Sequence, residues 1–110
     1  MMTPPRVTSE FWVSAYKQVL EGQAIPLFVL KKGNAAAGAI IVKISDLQGR
    51  SKVFGQSFDI EGDRRWVELA AGKDAEMEAV ISRQKKVDSD LWILEVETRH
   101  GNHYLDVVAS

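Results

Sequence analysis

The clearest pattern near the start of the chain is helical. Apolar side chains recur at helical spacing through residues 9–21, and polar side chains fill the other half of the helical wheel. Thr8 and Ser9 offer hydroxyl groups for an N-terminal cap, and Gly22 is typical of a helix end. We therefore predict an amphipathic helix with one buried face. That face comprises Phe11, Trp12, Ala15, Tyr16, Val19 and Leu20.

Four segments with strand-like patterns follow this helix. They are residues 25–32, 38–45, 50–54 and 64–70. Three of them are rich in apolar side chains, residues 50–54 are shorter and more polar, and glycine-containing or polar turns separate them. Segment 38–45 is apolar on both faces, which predicts a central strand that is covered on both sides.

The glycines between the first two strands have the spacing of a phosphate-binding loop. Such a loop needs Lys and Ser or Thr directly after its second glycine, but Ala39 and Ile40 follow Gly38. We therefore predict that residues 33–38 form a hairpin loop.

The second half of the chain predicts one more helix and two more strands. Residues 73–87 carry an apolar stripe of the width expected of a helix that lies on a sheet. Residues 91–98 and 103–108 have strand patterns. Gly101 and Asn102 stand between them and predict a two-residue hairpin turn.

The order of these elements predicts the fold class. Helix, four strands, helix and two strands give an α+β fold, with a mostly antiparallel sheet of five to six strands and two helices in the order α-β-β-β-β-α-β-β. Residues 1–5 are expected to form a flexible tail, and residues 6–110 a single α+β domain.

Composition removes several classes of function. The 110 residues include 14 Lys plus Arg and 15 Asp plus Glu, a net charge of -1, so nucleic-acid binding is not expected. The absence of cysteine excludes thiol catalysis and thiolate metal sites. The sequence shows no apolar leader and no run long enough to cross a bilayer, so we expect a cytoplasmic protein without membrane contact. Nothing in it predicts a cofactor.

Two sets of residues that include basic side chains are candidate binding sites. Arg64 and Trp66 share one face of a predicted strand, a pairing that can stack on an anionic partner, although a tryptophan in such a pattern is more often part of the core. A second group of bases lies in the last turns of the second helix, at residues 83–86. Acidic residues open the same helix, so the helix dipole explains this group better than a nucleic-acid patch does.

The predicted final hairpin carries the candidate metal ligands. Its register would place Glu97 opposite Asp106, with Glu95 on the same face, and three carboxylates can hold a hard cation such as Mg²⁺. On the other face His100 and His103 would stand opposite each other. The alternative is an outer face washed by solvent, or a register shifted by one residue.

The chain also resembles a known family through motifs spread over nearly its whole length. The most specific motifs surround Trp12, Trp66 and Trp92. They are similar to those of an uncharacterised family of small, mostly alphaproteobacterial single-domain proteins, a domain of unknown function. The family pattern has proline between the two aspartates before the third tryptophan, where this chain has Ser89. The resemblance implies a free-standing cytoplasmic protein and assigns no residue a role.

Together these features favour a non-catalytic binding or protein-interaction module. No convincing catalytic constellation is present, and three tryptophans are residues that often anchor interfaces. The partner would be an unknown protein or a second copy of the chain, and residues 50–54 are a candidate for the strand edge through which a homodimer would form. The alternative is a small metal-assisted hydrolase that uses Glu95, Glu97 and Asp106.

Overall fold

The computed structural model describes residues 7–58, 60–61 and 64–108, apart from the side chains of Phe58 and Arg64. The elements are α1 (Ser9–Gly22), β1 (Leu27–Lys31), β2 (Ile40–Ser45), β3 (Arg50–Phe58), β4 (Arg64–Lys73), α2 (Asp74–Val87) and β5 (Trp92–Glu97). The predicted α+β class, both helices and the first five strands are confirmed. The predicted tail, residues 1–5, lies outside the described residues.

The five strands form one mixed sheet with the order β1-β5-β2-β3-β4. Strand β5 is antiparallel to β1 and parallel to β2, and the remaining neighbours are antiparallel. All six residues of β2 are buried, as expected of a strand that is covered on both faces. Because β5 lies between β1 and β2, the predicted hairpin loop at residues 33–38 is wrong.

That segment crosses the end of β5 instead. The Asn34 carbonyl accepts a hydrogen bond from the Trp92 indole N–H at 2.8 Å, and the Asn34 amide N–H donates to the Asp90 carbonyl at 2.9 Å. A Cβ atom at Gly33 or Gly38 would collide with the same Asp90 carbonyl oxygen. The two glycines are therefore explained by this close backbone approach.

Helix α1 covers one face of the sheet. The Phe11 N–H donates to the Thr8 hydroxyl at 3.1 Å, which caps the helix as the sequence predicts. Trp12, Tyr16 and Leu20 are fully buried against β2 and β5. Phe11 was expected on this buried face, but it is 61% exposed because its position lies on the opposite side of the wheel from the core centre.

Helix α2 covers the opposite face. Its Met77 and Ile81 are buried against Ile41 and Ile93 on the central strands and against Val53 of β3. Since the side chains of a strand alternate between its two faces, β2 and β5 supply apolar residues to both helices. The two central strands are therefore nearly continuous apolar runs.

The predicted last strand and its hairpin with β5 are wrong. Both edges of β5 are already occupied by β1 and β2, so a strand at residues 103–108 would have no place beside it. The chain instead turns at Tyr104, which has a φ of 56°, and residues 101–108 pack against α1. The Tyr16 hydroxyl donates to the His103 carbonyl at 2.7 Å, and Leu105 is fully buried.

We call residues 101–108 the C-terminal segment. Its docking removes the Tyr16 hydroxyl from water, and burial raises the pKa of that hydroxyl above its ordinary value. Among the described helices, none is long and apolar enough to span a membrane.

Candidate functional site

The outer edge of β1 presents unpaired backbone groups. The Glu97 N–H donates to the Pro26 carbonyl at 3.2 Å, so Pro26 directs its carbonyl towards β5. Alternate residues of a strand point their N–H and C=O groups to opposite sides, so Phe28 also faces β5. Leu27 and Val29 therefore direct theirs away from the sheet. In the part of the chain that the structure describes, no strand pairs with that side of β1.

The side chains on this edge are apolar and exposed. Phe28, Val29 and Leu30 are 46%, 43% and 51% exposed, and no charged residue interrupts them. Exposed strand edges are usually protected by charged side chains or irregularities, and the other free edge, β4, carries Arg65 and Glu68 among its apolar residues. We call residues Leu27–Lys31 the β1 edge. Its only irregularity is the register shift between Val29 and Lys31.

The strand edge proposed from the sequence was a different one. Residues 50–54 belong to β3, which pairs with β2 on one side and β4 on the other, so that prediction is wrong. The sequence contained a signal for the β1 edge, since residues 27–30 form a short apolar run with no alternation. A fully buried central strand would give the same pattern, and only the sheet order distinguishes the two.

A second candidate site is a cleft on the α1 side of β2, β3 and β4. It has a volume of about 330 Å³. Ile44, Phe54 and Ala71 give it an apolar floor, and Thr98, Gly101 and His103 line it from the end of β5 and the C-terminal segment. We call it the His103 cleft.

Charged residues at the turn between β2 and β3 also line this cleft. The Asp46 carboxylate accepts hydrogen bonds from the Gln48 and Arg50 amide N–H groups at 2.7 and 3.2 Å, so it is engaged in the turn. Lys52 lies 3.5 Å from Glu68. The exposed Arg50 guanidinium has no ion-pair partner among the described residues.

The geometry of His103 fixes its tautomer. Its Nδ1 accepts a hydrogen bond from the Leu105 N–H at 3.1 Å, so the neutral ring carries its proton on Nε2. The ring packs on Phe54 with 4.8 Å between centroids. Burial lowers the pKa of His103 below its ordinary value of 6.5, Asp106 opposes this, and Lys52 lowers the pKa further. His103 is therefore a neutral hydrogen-bond donor at pH 7.

Acidification is expected to destabilise the fold through His103. Because its pKa is lowered in the folded state, the neutral ring contributes stability that is present above pH 6.5 and is lost as the pH falls through the folded-state value. Urea unfolding between about pH 8 and about pH 5 measures this, since histidine titrates in that range. In His103→Gln this part of the decline should disappear, whereas the exposed control His100→Gln should keep it. Equal pH profiles for wild type and His103→Gln would contradict the assignment.

The structure does not bring the three predicted metal ligands together in the expected register. The pairing of Glu97 with Asp106 is wrong, because Glu97 lies on β5 and Asp106 lies in the C-terminal segment, which forms no ladder with β5. Glu95 Oε1 lies 3.1 Å from the Lys43 ammonium. No group of three His, Asp or Glu side chains within the described ranges is placed to hold a metal ion.

Lys43 is a buried cation that no sequence motif marks as a candidate site. Its ammonium lies 2.7 Å from Glu78 of α2 and 3.1 Å from Glu95 of β5, and its side chain is almost fully buried. Burial alone would lower the pKa of Lys43, but the hydrogen bonds and charges of Glu78 and Glu95 outweigh it and raise the pKa. The ion pairs of Lys43 with Glu78 and Glu95 join α2 to the sheet, and the Glu95 carboxylate is engaged in them.

The predicted binding pair Arg64 and Trp66 lies at the start of β4. Trp66 is half-buried, and its ring packs on Trp12 with 4.9 Å between centroids. The Arg64 side chain lies outside the described residues, and a binding role for the pair stays a prediction. Residues 83–86 are exposed on the last turns of α2, at the negative end of the helix dipole.

The fold and these two surfaces define a two-helix α+β protein built on a mixed five-stranded sheet. A family model described as "Protein of unknown function (DUF1491)" matches residues 7–106. The chain belongs to this family, which confirms the resemblance seen in the tryptophan motifs. No curated protein matches the chain in sequence.

Solved structures of family members are similar over most of the chain. A crystal structure of a DUF1491 family protein from Caulobacter crescentus CB15 is 29% identical, with a TM-score of 0.84 over 91% of this chain and 95% of that one. An NMR structure of a DUF1491 family protein from the same organism is 28% identical, with a TM-score of 0.80 over 93% and 94%. A solution structure of an A. tumefaciens protein is 32% identical, with a TM-score of 0.75 over 86% and 87%.

Proposed function

We propose that this protein is a non-catalytic interaction module and that its partner at the β1 edge is a second copy of the chain. The observation that carries the proposal is the β1 edge itself, where three consecutive apolar side chains are about half exposed beside unpaired backbone groups. Strand addition to such an edge is a common mode of polypeptide recognition.

The backbone of β1 suits antiparallel pairing with its own copy. A two-fold axis at Phe28 would place Leu27 opposite Val29 of the partner. The four outward-facing groups of each copy, from Leu27 and Val29, would then all be used in four hydrogen bonds. Phe28 would face its own copy across the axis, an aromatic pair of the kind that stabilises antiparallel ladders.

The charges near β1 are compatible with this register. Because the register shifts after Val29, Lys31 and Lys32 would lie opposite residues within 24–26 of the partner, which carry no charge, so like charges would not meet. The Lys31 ammonium is also held within its own chain, where it donates to the Ser89 and Leu91 carbonyls at 2.7 and 3.0 Å. The ladder is short, so we expect an interface below about 1,200 Å², which is typical of weak, reversible complexes.

Sedimentation equilibrium over micromolar to millimolar concentrations tests this proposal. The wild-type chain should dimerise reversibly, and Phe28→Lys should shift the chain to monomer because it places like charges across the axis. Val67→Lys on β4 is the matched control. Val67 is 45% exposed, nearly the same fraction as Phe28, and it lies on the other free edge of the sheet. Its dimerisation should be unchanged.

Hydrogen exchange gives a second measurement with residue resolution. The Leu27 and Val29 amides should become protected as the concentration rises, whereas the Phe28 amide, which faces β5, should not change. A strict monomer at millimolar concentration, or equal loss of dimer in Phe28→Lys and Val67→Lys, would overturn the proposal.

The proposal leaves no catalytic role for Glu95, because its carboxylate is engaged by Lys43.

A bacterial origin is supported by the Caulobacter crescentus and A. tumefaciens relatives. The cytoplasmic location and the lack of nucleic-acid binding stay predictions, which cell fractionation and a gel-shift titration at several salt concentrations would test.

A further inference from the structure

The His103 cleft combines an apolar floor with a cation, Arg50, that forms no ion pair within the described part of the chain. Ile44, Phe54 and Ala71 form the floor, on β2, β3 and β4. Its volume of about 330 Å³ is at the small end of the range for small-molecule sites. Such sites are mostly apolar and carry a few polar groups that orient the ligand. The cleft has this composition.

The charged residues that line the cleft determine which ligand would suit it. Lys52 is close to Glu68, and the Asp46 carboxylate accepts hydrogen bonds from the turn amides, whereas the Arg50 guanidinium forms no ion pair among the described residues. A guanidinium presents paired N–H donors that match a carboxylate in two-point contact. Asp46 beside it adds a negative charge, which disfavours a dianion such as a phosphate monoester.

The neutral imidazole of His103 adds a donor to the same cleft. With Nδ1 occupied by the Leu105 N–H, the ring offers its Nε2–H as a donor. His103 is itself positioned by the Tyr16 hydroxyl and by the burial of Leu105, so it is fixed before any ligand arrives. A site with a fixed donor loses less entropy on binding than a mobile one.

We propose that the His103 cleft binds a small monocarboxylate with an apolar body, whose carboxylate pairs with Arg50 and whose body lies on Ile44, Phe54 and Ala71. This binding is independent of the β1 edge, because none of the residues of that edge lines the cleft. Either activity could therefore be lost while the other is retained.

Titration with octanoate, followed by amide chemical shifts, tests the proposal. Octanoate should shift the Thr98, Gly101 and Ala71 amides and reach saturation. Octanol lacks the charge, acetate lacks the apolar body, and hexyl phosphate carries a second negative charge. Each should bind about tenfold or more weakly than octanoate, as expected for the loss of one charged hydrogen bond or of several buried methylenes.

Variants locate the ligand within the cleft. Arg50→Gln should weaken octanoate binding about tenfold, whereas Arg83→Gln, which removes an exposed cation from α2 on the other face of the sheet, should not change it. Ala71→Leu should block binding by filling the floor, and its thermal unfolding should remain cooperative. The proposal is wrong if octanol or hexyl phosphate binds as tightly as octanoate, or if Arg50→Gln or Ala71→Leu binds octanoate like the wild type.

Discussion

Replacing Trp12 with alanine is expected to lower the free energy of unfolding by about 3–5 kcal/mol. Trp12 is fully buried, and its ring packs between Tyr16 and Trp66 with 4.9 Å between centroids in both contacts. It thus connects α1 to β4, and alanine would leave a cavity that these rings cannot close. Urea unfolding followed by circular dichroism measures the change without relying on tryptophan fluorescence.

The adjacent residue provides the matched control for this experiment. Phe11 is also a large aromatic residue on α1, but it is mostly exposed. Phe11→Ala should therefore change the free energy of unfolding by no more than about 0.5 kcal/mol. If Trp12→Ala were as stable as Phe11→Ala, the packing of α1 on the sheet described above would be wrong.

Leu105→Ala is expected to cost about 2–5 kcal/mol. Leu105 is fully buried among the residues of α1 and the sheet, and it anchors the C-terminal segment together with the hydrogen bond from Tyr16 to His103. The loss should appear in urea unfolding. It should also appear as faster hydrogen exchange at the backbone amide of residue 105, which donates to His103 Nδ1 in the wild type.

Val107→Ala is the control for this second prediction. Val107 lies two residues further along the same segment and is 62% exposed, so its truncation should be nearly neutral. Equal effects of the two substitutions would mean that the segment does not dock through Leu105. In a strand, residues 105 and 107 would lie on the same face, so the two substitutions would have similar effects. Different effects therefore support the docked C-terminal segment.

The individual helices and strands could be predicted from the sequence because the capping residues and the apolar spacing that define each element lie within that element. The capping hydroxyl of Thr8 and the spacing of Trp12, Tyr16 and Leu20 determine α1 without reference to the rest of the chain. The apolar residues on both faces of β2 likewise indicated a strand covered by two layers. The prediction for Phe11 is wrong because Phe11 lies at one margin of the predicted apolar face, whereas the buried residues of α1 centre on the opposite side of the wheel.

The strand order could not be predicted in the same way. Leu94 has the same local pattern in an edge hairpin as in the centre of a sheet, and its pairing with Val29 and Val42 depends on residues far away in the chain. The error at the C-terminal segment followed from this. A hairpin that contains β5 would use Gly101 and Asn102 as its turn and would place Glu97 opposite Asp106.

Both candidate surfaces depend on that strand order, so the sequence could not reveal them. The β1 edge is free because β1 is the terminal strand of the order and has β5 on its one paired side. The His103 cleft exists because the C-terminal segment folds over β3 instead of extending the sheet, which brings His103 onto Phe54. Arg50 and His103 are far apart in the chain, and no local motif joins them.

The central position of β5 also affects how this chain is made. During synthesis β2 can pair with β3 as soon as β3 emerges, but β1 pairs only with β5, which is the last strand in the described part of the chain. Until then β1 has no strand partner on either side, and pairing between such distant segments is slow. During translation the apolar strand β1 is therefore exposed and unpaired until β5 has been synthesised. A chaperone that binds unfolded chains would be expected to bind at β1 in this interval.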